Sequence, residues 1–97
     1  MLSPDDVIIK EKDFFLNDEN YIARLYFHKG KTIPYGEIVK KENNQRVGNM
    51  KGLAREFLKS YGIEVSTDAR VMVTHSAVAK LIQKLEELES EKQVDKI

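Results

Sequence analysis

The chain has 97 residues, 41% of them hydrophobic and 33% charged, and its formal net charge is zero; these are the proportions of one globular domain with a modest core, not of a disordered segment. It contains no cysteine, which excludes disulfides, thiol catalysis and thiolate metal sites. No apolar run approaches the roughly 20 residues of a membrane span, and the acidic start is unlike a signal peptide, so an intracellular, cytoplasmic protein is expected.

Charge is uneven along the chain. Residues 1–20 carry six acids against two lysines, and residues 86–97 carry five against two. Between them, residues 29–59 hold eight Lys or Arg and only three acids. A basic middle between acidic ends concentrates positive potential on one region of a neutral molecule, which suits a selective binder better than a protein that coats nucleic acid indiscriminately.

Taken in order, the β-branched run Val7-Ile8-Ile9 predicts a short N-terminal edge strand within an arm spanning residues 6–16. The cluster Asn17-Asp18-Glu19-Asn20 offers helix N-caps. A first helix is expected over residues 19–28, because Ile22, Leu25 and Tyr26 fall at i, i+3, i+4, and Lys29-Gly30 suits its end. Pro34 forces the residues before it to be extended and opens a second helix over 34–41, with Tyr35, Ile38 and Val39 inward. Glu42-Asn43-Asn44 forms the break.

A third helix is expected over residues 45–61, ended by Gly62, with Val47, Met50, Ala54, Phe57, Leu58 and Tyr61 on its apolar stripe. Gly48 and Gly52 lie on the outer side. Either they leave a smooth strip for close approach of a partner, or the helix starts near Met50 and Gly48 belongs to the turn. Residues 63–65 and 70–74 alternate around the polar Ser66-Thr67-Asp68-Ala69 and predict a β-hairpin. Ser76 caps a last helix running to about residue 93. Its Val78, Leu81, Leu85 and Leu88 follow a heptad seam, which serves either packing within the domain or a homodimer.

The order helix, short extended piece, helix, turn, helix, hairpin, helix resembles the winged helix-turn-helix superfamily. The carriers are IPYGEIVKK for the second helix, NNQRVGNMKGLAREFLKSYG for the third and IEVSTDARVMVT for the wing. Within this, TIPYGEIVKK followed by RVG is similar to the DNA-binding segment of the alkylguanine-DNA alkyltransferases, whose Pro-Cys-His-Arg catalytic motif has no counterpart here. The expected fold is therefore α+β: a winged helix-turn-helix, with a three-helix core and a β-hairpin wing over residues 19–75, plus an added C-terminal helix over 76–93, all in one domain.

The resemblance implies double-stranded DNA as partner and a small transcriptional regulator as function, with the third helix in the major groove. Lys40, Lys41, Lys51, Arg55 and Lys59, together with Arg70 on the wing, would meet phosphates, while Gln45, Arg46 and Asn49 would reach base edges. The alternative is a protein-interaction module that docks an acidic partner on the same basic face. His28 and His75 have no partner at metal-ligand spacing, and no nucleophile-plus-base or phosphate-loop motif is present. No metal, cofactor, small-molecule ligand or enzymatic activity is expected.

Overall fold

The computed structural model describes residues 7–94. The chain forms three strands and then two helices: β1 (Val7–Leu16), β2 (Glu19–His28), β3 (Tyr35–Lys40), α1 (Met50–Lys59) and α2 (Val71–Val94). The strands make an antiparallel meander in the order β1-β2-β3. The class is α+β, but among the described residues there is no three-helix core and no hairpin after α1, so the winged-helix expectation is overturned.

The expected first helix is instead β2, paired with β1 along its whole length, from Leu16 opposite Glu19 to Val7 opposite His28. Two local features account for the change. Asn17 and Asp18 both adopt left-handed backbone, at φ 50° and 63°, the geometry of a two-residue hairpin turn that matches the twist of its strands. The segment also alternates with period two: Tyr21, Ala23 and Leu25 are buried together, while Ile22, Arg24 and Tyr26 lie on the other face. Intrinsic helix preference varies by less than about 1 kcal/mol per ordinary residue, whereas burying one large apolar side chain contributes roughly 1.5–3 kcal/mol. Burial decides.

The expected second helix is β3, in register with β2 from Tyr21 opposite Lys40 to Tyr26 opposite Tyr35. Gly36 and Ile38 face the core, and Tyr35, Glu37 and Val39 face away. A turn with Asn44 at φ 59° then folds the chain back, so that Lys40 N–H donates to the Gln45 carbonyl and Val47 N–H to that of Ile38. This return covers the outer edge of β3 at residues 38–40.

The expected third helix survives only in its second half, as α1. Asn49 caps it by accepting the Gly52 N–H at 2.9 Å. At its end, Ile63 N–H donates to Leu58 O and Gly62 N–H to Lys59 O, with Gly62 at φ +75°, a glycine-terminated Schellman arrangement. Residues 63–69 run on without regular secondary structure. The expected second wing strand is the start of α2, even though Val71, Val73 and Thr74 are β-branched.

Both helices cover one face of the sheet, giving two layers around one core. Phe14, Tyr21, Ala23, Leu25 and Ile38 come from the sheet, Ala54, Phe57 and Leu58 from α1, and Ala77, Val78, Leu81, Ile82 and Leu85 from α2. Phe14 packs against Tyr21 and Phe57 with ring centroids 5.3 and 5.4 Å away. Val78, Leu81 and Leu85 are buried against the sheet and Leu88 packs at the core margin, so the heptad seam is spent inside the domain and is no free dimer surface.

Candidate functional site

The nine residues expected to bind DNA do not form one surface. Lys40 ends β3 with its Nζ 3.8 Å from Glu19, and Lys41 sits in the following turn with its Nζ 2.6 Å from Asp13. Gln45 contributes its carbonyl to the return strand. Arg46 lies 3.3 Å from Glu37 and 5.8 Å from the centre of the Tyr35 ring. Asn49 is consumed as the cap of α1. Arg70 is not on a wing: its side chain chelates Asp68 at 2.9 Å just before α2.

Lys51, Arg55 and Lys59 are spaced four residues apart, one turn after another, and share a stripe of α1. They differ in what they do. The Lys51 ammonium donates to the carbonyls of Asp68 at 2.7 Å and Thr67 at 3.4 Å, tying residues 67–68 to the helix. Arg55 and Lys59 are exposed and form no ion pair among the described residues.

These two cations line one wall of an open groove of about 750 Å³, together with Gly52 and Glu56. The opposite wall is the extended segment of residues 63–67. Ile63 and Val65 are partly buried against the core, and Glu64, Ser66 and Thr67 are exposed. Both ends of this segment are held, at Ile63 by its bond to Leu58 and at residues 67–68 by Lys51. Further bonds run from Asp68 N–H to Ser66 Oγ and from Arg70 N–H to Asp68 Oδ1. The Arg70 N–H and then the Arg70 side chain hold the Asp68 carboxyl below its ordinary range. Between the anchored ends, residues 64–67 make no backbone-to-backbone hydrogen bond among the described residues.

The two glycines of α1's outer side resolve separately. Gly48 precedes the helix. A Cβ on Gly52 would fall 2.7 Å from Cγ of Asn49, so any side chain there would displace the Asn49 amide from its present capping position, and the bare surface of Gly52 also opens the floor of the groove.

Arg55 and Lys59 are expected from the sequence as phosphate contacts, and the wall that faces them is an extended segment instead of the expected hairpin. The available signal was Gly62 as a helix stop followed by alternating Ile63-Glu64-Val65, which marks an extended segment. Which surface it would border could not be read from that pattern.

The sheet face turned away from the helices is internally satisfied. Arg24 sits in register between Glu11 and Glu37, with its Nε 2.6 Å from Glu11, and Glu11 holds its pKa above the ordinary value. Glu37 also accepts from the Tyr26 hydroxyl at 2.6 Å, which raises the Tyr26 pKa. Tyr35 lies between Tyr26 and His75, with ring centroids 5.9 and 4.7 Å away. Among the described residues no cluster of three or more His, Cys, Asp or Glu side chains is placed to hold a metal, and no helix is long and apolar enough to cross a membrane. Compared with protein-family models, curated proteins and solved structures, the chain matches none.

Proposed function

We propose that this chain is a protein-interaction module whose groove between α1 and residues 63–67 takes an extended, acidic segment of another protein. The single observation that carries this reading is the groove itself: two cations that form no ion pair among the described residues face an extended segment held at its two ends, whose residues 64–66 make no backbone-to-backbone hydrogen bond among the described residues. An added strand can satisfy such a backbone, and main-chain bonds supply affinity while side chains supply selection. Arg55 and Lys59 select for acids on the side of the added segment that faces α1. Ile63 and Val65 offer apolar contact at the base of the groove, and Glu64 on the far wall disfavours acids on that side.

Magnitude separates this reading from DNA binding. Of the nine residues expected to contact DNA, Arg55 and Lys59 alone are cations with no ion-pair or carbonyl partner among the described residues, and two phosphate contacts would give log affinity against log salt a slope of only about −1.8. Lys40, Lys41, Arg46 and Arg70 are held in internal ion pairs, Lys51 by two carbonyls and Asn49 as a cap, and the first helix of the expected helix-turn-helix pair is a strand.

The test is selection from a random peptide library displayed on phage against the full chain, followed by titration of the selected peptides. Acid-containing peptides are expected, and changing both Arg55 and Lys59 to Ala should weaken them roughly 2- to 30-fold, the effect of removing two exposed ion pairs. Retardation of random duplex DNA at low salt, abolished by the same double substitution, would restore the DNA reading.

A further inference from the structure

The two edges of the sheet are treated differently. The outer edge of β3 is covered at residues 38–40 by the returning residues 45–47 and at Gly36 by His75. The outer edge of β1 has no neighbouring strand among the described residues, although β1 is ten residues long and exposes Ile8 at 67%, Ile9 at 55% and Phe15 at 58%. Soluble proteins usually protect such an edge with charged side chains that repel an incoming strand. In β1 each of the four charges is held in an ion pair within its own chain: Lys10 by Glu86 at 3.5 Å and Lys12 by Glu89 at 2.8 Å on the helix side, Glu11 by Arg24 and Asp13 by Lys41, both at 2.6 Å, on the other. Beside these paired, partly exposed charges stand the exposed apolar side chains of Ile8, Ile9 and Phe15.

We infer that β1 pairs antiparallel with β1 of a second copy of this chain, about a two-fold axis through Lys12, and joins two sheets into one. The occupant is argued from the strand's own pattern. The turn at Asn17-Asp18 makes Leu16 and Glu19 the closing hydrogen-bonded pair, so alternation along the ladder sends the amides of Val7, Ile9, Glu11, Asp13 and Phe15 outward. An axis perpendicular to the sheet keeps each face on its own side and allows only registers centred on a residue. Centred on Lys12, the register sets Ile9 opposite Phe15 on one face and Ile8 opposite Leu16 on the other, at both ends of the interface. Centred on Glu11 it would set Ile9 against Asp13 and Lys10 against Lys12. Centred on Asp13 it would set Phe15 against Glu11.

The charges tolerate the Lys12-centred register because of where their partners sit. Glu11 meets Asp13 of the other copy, but each brings its own cation, Arg24 or Lys41. Lys12 meets Lys12, each with its Glu89. Main-chain bonds and apolar pairs then drive association against residual like-charge repulsion that salt screens. Self-association should therefore hold or strengthen as sodium chloride rises, the opposite of binding through Arg55 and Lys59.

The absence of any cysteine in the chain makes the register directly readable. Single substitutions E11C, K12C and D13C are oxidised under identical mild conditions and run on non-reducing gels, with E64C, outside the interface, as control. Residues opposite one another across an antiparallel pair lie within disulfide reach, so K12C should cross-link at least tenfold faster than the other three. Sedimentation velocity of the full chain should show a dimer that I9K and F15K each weaken at least tenfold, with circular dichroism unchanged because both side chains are exposed. A wild-type chain that stays monomeric at several hundred micromolar, or cross-linking led by E11C, D13C or E64C, overturns the inference.

Discussion

The imidazole of His75, in the second turn of α2, accepts the backbone N–H of Gly36, in β3, through Nδ1 at 3.0 Å. This bond satisfies an amide at the start of β3 and fixes where α2 begins to cross the sheet. One turn later Val78 presses on the same glycine: a Cβ there would stand 2.7 Å from Val78 Cβ and 3.1 Å from its Cγ1.

Gly36→Ala should therefore destabilise the domain by roughly 1–3 kcal/mol, the cost of overpacking a filled core, and lower Tm by roughly 4–8 °C per kcal/mol for a domain of this size. His75→Leu should cost about 1–3 kcal/mol by leaving the Gly36 amide unpaired, while His75→Asn, whose side-chain oxygen can stand near the Nδ1 position, should recover most of it. Thermal unfolding of the three variants checks both statements; equal losses for Leu and Asn would mean that shape, not the hydrogen bond, is what matters at position 75.

Tyr26 should ionise at higher pH than a free tyrosine, because its hydroxyl donates to the Glu37 carboxylate. Its folded pKa lies above its unfolded value of 10.0, so its contribution to stability is fully present below that pH and is lost as pH rises through the folded value. Absorbance titration of the phenolates of the native protein should show the Tyr26 step above the range of a free tyrosine. In Glu37→Gln that step should move to lower pH, and stability should fall less steeply above pH 10.

The β1–β2 turn offers a stabilising change. Asp18 holds φ 63°, a conformation that glycine adopts without the cost of a Cβ, and Asn-Gly is the favoured pair for this turn. Asp18→Gly should raise stability by about 0.5–1 kcal/mol in denaturant titration with an unchanged slope. A loss of similar size would place the turn in a different geometry.

Lys51 should matter to the groove more than to the core. Replacing it with Met removes the donor that holds the carbonyls of Thr67 and Asp68, at a cost of about 1 kcal/mol in global stability. Amide hydrogen exchange across residues 64–69 should speed up while that of α1 and β2 changes little. Unchanged exchange in 64–69 would show that the segment is held by Ile63 and Val65 alone.

Where a signal is local chemistry, it was legible in the residues. Gly62 ends α1 because only a residue without a Cβ takes φ +75° freely. Ala54, Phe57 and Leu58, and further along Val78, Leu81 and Leu85, form the inward stripes that helical spacing demands, and the strand character of Val7-Ile8-Ile9 is real. Arg55 and Lys59 were visible as an outer basic stripe. Tertiary contacts decided the rest. Residues 19–28 satisfy a helical triad, Ile22, Leu25 and Tyr26, as well as a two-residue period, Tyr21, Ala23, Leu25 and Phe27. The latter wins because β1 and β3 lie on either side to pair with it. Val71 to Thr74 become helical despite their branching, since α2 can then bring His75 onto Gly36. The fate of the cations was equally non-local: Lys41 finds Asp13 and Arg46 finds Glu37 only after the sheet has formed. Charge along a chain states what could bind; of the cations expected to do so, the folded pairing leaves Arg55 and Lys59 without a partner among the described residues.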